Sequence, residues 1–364
     1  MRPSRTLLAS ACLLAGLLAL AGCGGGSGSS GGGKRPTPPA HSTPAPAKSA
    51  FPAAGGKTLR QIVSSADRPA ELKIEPEAMV FNQGPNRYPF GVFEKSNAQT
   101  EGKEIDNAEV ALYYSKVPTS GGRRSKSGVK GSAAKPPAPA LDQPAVGPFP
   151  AKIETLATQP RFESKTTAEN PSAARVVYSA QLPLPEKGQW ALAALIKEGN
   201  ELGGTLLSGA TAGEFNAVPA VGTKAPLIHT PTAQEAGGEP SKITTRIPPD
   251  TQNEVDYADV LGKEPILLLF ATPKFCQSRV CSPVVDVAEQ AKAKFGNEAR
   301  FIHMEIYNDK NPSNLTVLPQ VRAFHLPSEP WLFAIGREGV VKSAVEGGFG
   351  SELMDEAVQK AVGK

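Results

Sequence analysis

Pro265-Ile266-Leu267-Leu268-Leu269-Phe270-Ala271-Thr272-Pro273-Lys274-Phe275-Cys276-Gln277-Ser278-Arg279-Val280-Cys281-Ser282-Pro283 decides how the chain is read. Ile266 to Phe270 is an unbroken apolar run, which suits a strand buried on both faces of an α/β sheet. Val284 to Phe295 has a helical pattern and ends at Gly296. A cysteine pair therefore sits between a buried strand and a helix. Residues five apart on a regular helix are rotated by about 500°, a net of about 140°. Two sulfurs so placed would point apart and could not bond. Ser282 is a good N-cap and Pro283 a good first helical residue. The helix is accordingly expected to start after Cys281, with both cysteines on a loop above its positive end. That end, with Lys274 and Arg279 nearby, would stabilise a thiolate.

Working outward, Tyr257–Leu261 predicts a short helix and Phe301–Ile306 a second strand. Leu318–Phe324 predicts another short helix. Glu329-Pro330 then places a proline directly before the strand Trp331–Ile335, with Trp331 either core or groove wall. Val340–Val345 predicts a further strand and Ser351–Val362 a closing helix. The order βαβαββα, with Cys276 after the first strand and Pro330 before the third, resembles the thioredoxin pattern. Val221-Gly222-x2-Ala225-Pro226 likewise resembles the opening of exported thioredoxin-like and peroxiredoxin-like proteins. The likeness covers about two-fifths of the chain.

The resemblance implies an α/β thioredoxin-like domain over residues 219–364. It also implies Cys276 as nucleophile, Cys281 as resolving thiol and Pro330 as the cis-proline beside them. The two thiol roles are exchangeable, because Cys281-Ser282-Pro283 is itself similar to the family's Cys-Gly-Pro. Two departures stand out. The pair is Cys-x4-Cys rather than Cys-x2-Cys. Ile266–Phe270 carries no acid where many thioredoxins bury an Asp. Glu329 is a candidate stand-in, although a carboxylate there reads first as a solvated loop residue.

At the other end, Arg2 and Arg5 precede an apolar run from Leu7 to Ala21. A basic start, a short apolar core and small residues before a cut describe a secretory signal over residues 1–22. The run falls short of a comfortable membrane span of about 20 residues. Leu20-Ala21-Gly22-Cys23 resembles the lipobox of bacterial lipoproteins. That implies acylation of Cys23 and a chain held by lipid on the extracytoplasmic side of the cell membrane. Cys12 would leave with the signal, so Cys276 and Cys281 remain as the pair able to persist as a disulfide in an oxidising compartment. Residues 23–70, Gly/Ser-rich and then Pro/Ala-rich at first, are expected to form a disordered tether.

Residues 71–218 have a β texture, with strands expected at Leu72–Ile74, Ala78–Phe81, Ala108–Tyr114, Ala174–Leu182 and Gly188–Ile196, and a turn at Gly84-Pro85-Asn86. Ala108–Tyr114 alternates with period two, as a half-buried strand does. Tyr178-x3-Leu182-Pro183-x4-Gly188-x-Trp190 resembles the penultimate hairpin of immunoglobulin-like domains in exported bacterial proteins, implying an all-β immunoglobulin-like sandwich. Residues 117–150 break the pattern and are expected to be a disordered insertion, in which Arg123, Arg124 and Lys126 are solvated or meet an anionic polymer. The absence of His and Cys between Leu72 and Val218 argues against a metal site in this domain.

Composition removes other classes. A net charge of +4 from 39 basic and 35 acidic side chains is too mild for a nucleic-acid-binding face. Collagen, coiled coil and polytopic membrane protein lack their periods or spans here. Three readings of the cysteine pair stay open. The first is a lipid-anchored thiol–disulfide oxidoreductase acting, as a monomer without cofactor, on thiols or disulfides of exported proteins. The second is a non-catalytic binding domain whose disulfide pins a loop. The third follows from a resemblance to the Sco copper-delivery family. It implies Cys276, Cys281 and His325 as copper ligands, with His303 as a poorer alternative, since two thiolates and an imidazole suit Cu(I). A peroxidase motif, Thr-x2-Cys, is not matched.

Overall fold

The long apolar run Trp190–Ile196 is buried on both faces, and covering those two faces organises the N-terminal half of the protein. The computed structural model describes residues 35–95, 102–118, 137–276, 278–308 and 311–364. All fall within the unit Gly33–Lys364. Cys23, the signal segment and Arg123, Arg124 and Lys126 lie outside the described residues.

Two sheets pack face to face. One has the order β1-β9-β8-β4-β5, from Arg68–Pro69 (β1), Glu109–Lys116 (β4), Val146–Pro150 (β5), Gly188–Glu198 (β8) and Glu201–Ala212 (β9). The other has the order β2-β3-β7-β6, from Leu72–Pro76 (β2), Gly84–Glu94 (β3), Lys152–Thr155 (β6) and Val176–Leu184 (β7). Their shared core sets Val110, Leu112 and Leu192 of the first sheet against Phe90, Tyr178 and Leu182 of the second. Alternate residues Ala111, Tyr113, Ala193 and Leu195 face the other way and are equally buried. A half-wet sheet, as alternation in β4 predicts, is therefore not what forms.

The cover on that outer face comes from residues composition assigns to the tether. Phe51, Leu59 and Ile62 pack onto it. Leu59–Ser64 (α1) begins with a capping box in which Thr58 and Gln61 satisfy each other's backbone N–H groups. Thr43 bridges Ile153, and β1 pairs in parallel with β9. Residues 35–70 are thus ordered, because enough apolar side chains are scattered among the prolines to bury this face. The β1–β9 approach is close. A Cβ on Gly204 would lie 2.8 Å from the Val63 carbonyl oxygen, so the glycines that hid β9 from pattern reading are required there.

The expected disordered insertion is corrected in the same way. Ala138–Leu141 (α2) and β5 lie within it, and β5 pairs with β4 while Phe149 stacks on Tyr114 at 5.3 Å. Lys165–Ala168 (α3) follows β6. Ala78–Phe81 forms no strand, and Gly84-Pro85-Asn86 opens β3 rather than making a turn.

The C-terminal lobe carries a sheet of order β11-β10-β12-β13, from Ile266–Phe270 (β10), Arg300–Met304 (β11), Trp331–Ile335 (β12) and Val341–Glu346 (β13). β10 pairs parallel with β11 and antiparallel with β12, and β13 is antiparallel to β12. Tyr257–Val260 (α4), Cys281–Phe295 (α5), Pro319–Ala323 (α6) and Ser351–Val362 (α7) complete it. Leu267 and Leu269 face a core shared with α5 and α7, whereas Ile266, Leu268 and Phe270 face one shared with Tyr257 and Phe324. The central strand is buried on both sides, as its composition requires.

The lobes are joined by polar contacts and by a small apolar cluster of Leu156, Ala174, Val177 and Val280. The backbone N–H groups of Met79 and Val80 donate to the two carboxylate oxygens of Glu346, at 2.8 and 2.9 Å. The Gly348 N–H donates to Glu77 at 2.9 Å. Residues 77–80 thus reach across to the C-terminal lobe instead of pairing in a sheet. No helix among the described residues is long and apolar enough to cross a membrane.

Candidate redox site

Cys276 and Cys281 form a disulfide with Cα atoms 5.8 Å apart. The helix starts two residues earlier than the expected Pro283. Cys281 is its first residue and Val280 its N-cap, with no side-chain cap. The Ser282 hydroxyl is instead hydrogen-bonded to the Thr167 hydroxyl of α3 at 2.7 Å, which removes it from capping. Cys276 alone lies on the loop. Bonding is still possible because Cys276, Ser278, Arg279 and Val280 are not helical, so the rotation that separates sulfurs within a helix does not apply.

The two sulfurs differ in access. Cys281 is fully buried, whereas Cys276 is partly exposed. Cys276 Sγ accepts the Cys281 backbone N–H at 3.2 Å and lies 3.3 Å from Ser278 Oγ. Ser278, which sequence reading did not single out, also donates to the Glu329 carbonyl at 3.4 Å. The loop is held by the two-sheet lobe. Arg279 sits at φ 67°, a left-handed conformation costly for a residue with a Cβ. Its carbonyl accepts the Ala174 N–H at 2.9 Å, and its guanidinium lies 4.4 Å from the Phe93 ring centroid. Lys274 is exposed, with its ammonium 5.6 Å from the Phe275 ring.

The Glu329–Pro330 bond is cis, and Glu329 is the third member of the site. One of its carboxyl oxygens lies within 4.8 Å of both sulfurs. Its Oε2 is buried and has no hydrogen-bond partner. Burial pushes this carboxyl up to about 8, with Glu305 adding to the effect. Glu329, expected to be a solvated loop residue, is therefore a half-buried acid beside the disulfide. The loop between α6 and β12 brings it there, which no local pattern reveals. Trp331 is buried, and its indole N–H donates to Ser328 at 3.1 Å.

The copper set is not assembled. The group gathered among the described residues is Cys276, Cys281 and Glu329, without His325, which is exposed. His303 is no substitute. It is buried, with Nδ1 2.9 Å from Asp250 and Nε2 3.1 Å from the Ala271 carbonyl. Both ring nitrogens face acceptors, so both carry protons and neither has a lone pair for a metal. Burial opposes that charge, but Asp250 outweighs it and holds the imidazole up at about 9. The pair lies beneath Ala271, where β10 hands over to the cysteine loop. Sequence reading missed Asp250 because it sits in a polar loop.

No protein-family model matches the chain, and no curated protein does. Among solved structures, one described as a "putative Thiol:disulfide interchange protein DsbE from Chlorobium tepidum" aligns at 18% identity and a TM-score of 0.29, covering 40% of this chain and 99% of that one.

Proposed function

We propose that the protein is a thiol–disulfide oxidoreductase with a thioredoxin-like catalytic domain. In this reading an immunoglobulin-like sandwich precedes that domain, and lipid on Cys23 holds the protein at the extracytoplasmic face of the membrane. The observation that carries the activity is an asymmetric disulfide with a half-buried carboxyl beside it: one cysteine partly exposed, one buried at a helix start.

A partner thiolate attacks the accessible Cys276 sulfur. The Cys276–Cys281 bond breaks, a partner–Cys276 mixed disulfide forms, and Cys281 leaves as a thiolate at the positive end of α5. The neutral Glu329 carboxyl gives Cys281 its proton. A second partner thiolate then attacks the partner sulfur of the mixed disulfide. Cys276 leaves as a thiolate, stabilised by the Cys281 N–H and the Ser278 hydroxyl. The partner dithiol is oxidised to a disulfide, and the protein's disulfide is reduced to a dithiol. The reverse sequence reduces a partner disulfide, with ionised Glu329 accepting the Cys281 proton.

The reduction potential tests this reading. Equilibration with glutathione buffers is expected to give about −120 to −270 mV, the range of working oxidoreductases. Cys281→Ser is expected to accumulate a mixed disulfide through Cys276. A pair resisting reduction below about −300 mV would instead be a structural bridge. Glu329→Gln is expected to slow exchange by about 10²-fold, a usual effect of losing a positioned acid. It should also erase a pH-rate transition near 8, read by stopped-flow fluorescence across pH 6–9. An unchanged profile would remove Glu329 from the mechanism.

A further inference from the structure

Arg279 and Val280, which lie between the two cysteines, are fastened to the two-sheet lobe. Arg279 takes the left-handed conformation at φ 67°, disfavoured for a residue with a Cβ. Such a conformation persists where the surroundings over-determine it, and here they do. The Arg279 carbonyl accepts the Ala174 N–H at 2.9 Å. Its guanidinium lies 4.4 Å from the Phe93 ring centroid, and its Nη1 donates to the Gly102 carbonyl at 3.2 Å. Val280 is fully buried against Leu156, Ala174 and Val177. Ala174 is fixed from its other side as well. Arg35 Nη1 donates to its carbonyl at 2.8 Å, and Arg35 is paired with Glu163 at 2.7 Å. None of these contacts involves a sulfur, so none depends on the disulfide being closed.

We infer that Arg279 is a positioning residue for the exchange reaction, through which the two-sheet lobe keeps Cys276 within reach of Cys281 when the pair is reduced. The inference rests on the thiol–disulfide reading above. When a mixed disulfide on Cys276 is resolved, the Cys281 thiolate attacks the Cys276 sulfur. The Cys276–Cys281 bond forms, the Cys276–partner bond breaks, and the partner leaves as a thiolate. This step is intramolecular, so its favourability follows the effective concentration of one sulfur at the other. A four-residue spacer has more conformations to lose on closure than a two-residue one. Two of the four residues are already held by the lobe, which offsets that loss. A loop free to leave the left-handed conformation at Arg279 would carry Cys276 away from the Cys281 N–H, which it now accepts at 3.2 Å.

The test equilibrates the full chain with glutathione buffers. Alkylation and mass spectrometry then count the closed disulfide, the dithiol and the Cys276–glutathione mixed disulfide. Arg279→Ala keeps the Cβ that disfavours the left-handed conformation and loses the side-chain contacts. It is expected to lower the equilibrium constant for closure about ten-fold, which raises the potential by about 30 mV. The proportion of mixed disulfide should rise with it. Arg279→Gly loses the same charge and contacts but adopts the left-handed conformation without penalty. Its closure constant is expected to lie about five-fold above that of Arg279→Ala. Because both variants lack the charge, the difference between them reports position rather than electrostatics. Phe93→Leu, a change on the lobe side alone, should lower the constant about three-fold through the lost ring contact. Ala and Gly variants within two-fold of each other, or a Phe93→Leu constant equal to that of the unsubstituted chain, would overturn the positioning role while the redox reading stood. An unsubstituted pair still oxidised at about −300 mV would overturn both.

Discussion

Asp250→Ala is expected to destabilise the C-terminal lobe by about 3–5 kcal/mol, the usual cost of leaving one partner of a buried ion pair uncompensated. Both side chains are fully shielded from solvent. His303 donates from one nitrogen to Asp250 and from the other to the Ala271 carbonyl, so the ring must carry two protons to satisfy both. The His303 charge in turn holds Asp250 down at about 2 against the effect of its burial. Removing Asp250 strands a buried cation or forces its deprotonation, which leaves one ring nitrogen facing an acceptor without a proton. The chain has two tryptophans, one in each lobe. A Trp190→Phe background therefore lets Trp331 fluorescence report urea unfolding of the C-terminal lobe. Adding His303→Leu to Asp250→Ala should recover much of the loss, because an apolar replacement of the whole pair leaves no charge to compensate. A loss below about 1 kcal/mol would mean the ring is neutral in the folded protein.

The residues that were legible in the sequence are those whose pattern is local. Ile266–Phe270 and Trp331–Ile335 are unbroken apolar runs, and they are strands with both faces buried. Ser351–Val362 is a helix over the span read for it. The proline before β12 and the cysteine after β10 likewise stand where expected. What was illegible depends on distant partners. Ser282 is chemically a good cap, but its hydroxyl is engaged with that of Thr167, 115 residues away. Phe51, Leu59 and Ile62 lie too sparsely among prolines and small residues to announce a packed segment, and only the second apolar face of β4 and β8 gives them something to cover. Glu329 is an ordinary loop acid in sequence, and its place within 4.8 Å of the sulfurs depends on the tertiary fold.

Alkali is expected to weaken the fold progressively from about pH 5 to pH 9. Three buried groups and the half-buried Glu329 keep a proton in the folded protein that the unfolded chain has released. Burial pushes the carboxyls of Glu77 and Glu329 up to about 8, and that of Glu346 to about 7. For each, stability is greatest below the unfolded value of about 4.3 and is lost as pH rises through the folded one. The His303 imidazolium, at about 9, acts in the same direction from about pH 6.5 upward. Asp250 acts oppositely, costing stability only as pH falls from about 3.9 towards its folded value of about 2. All three carboxyls and the imidazolium act in the same direction, so stability falls throughout this window. It is steepest just below pH 7, where all four groups contribute. Two of the carboxyls, Glu77 and Glu346, bind the two lobes together, so the junction is expected to fail first. Urea midpoints at pH 5, 7 and 9 should fall in that order. Calorimetric unfolding near pH 6.5, in buffers of different ionisation enthalpy, should show protons released rather than taken up. Glu346→Gln should flatten the part of the decline below pH 7, since its amide is neutral throughout. A midpoint that is level or rising between pH 5 and 8 would mean that these carboxyls are ionised in the folded protein. The neutral Glu329 required for proton donation to Cys281 would then be lost as well.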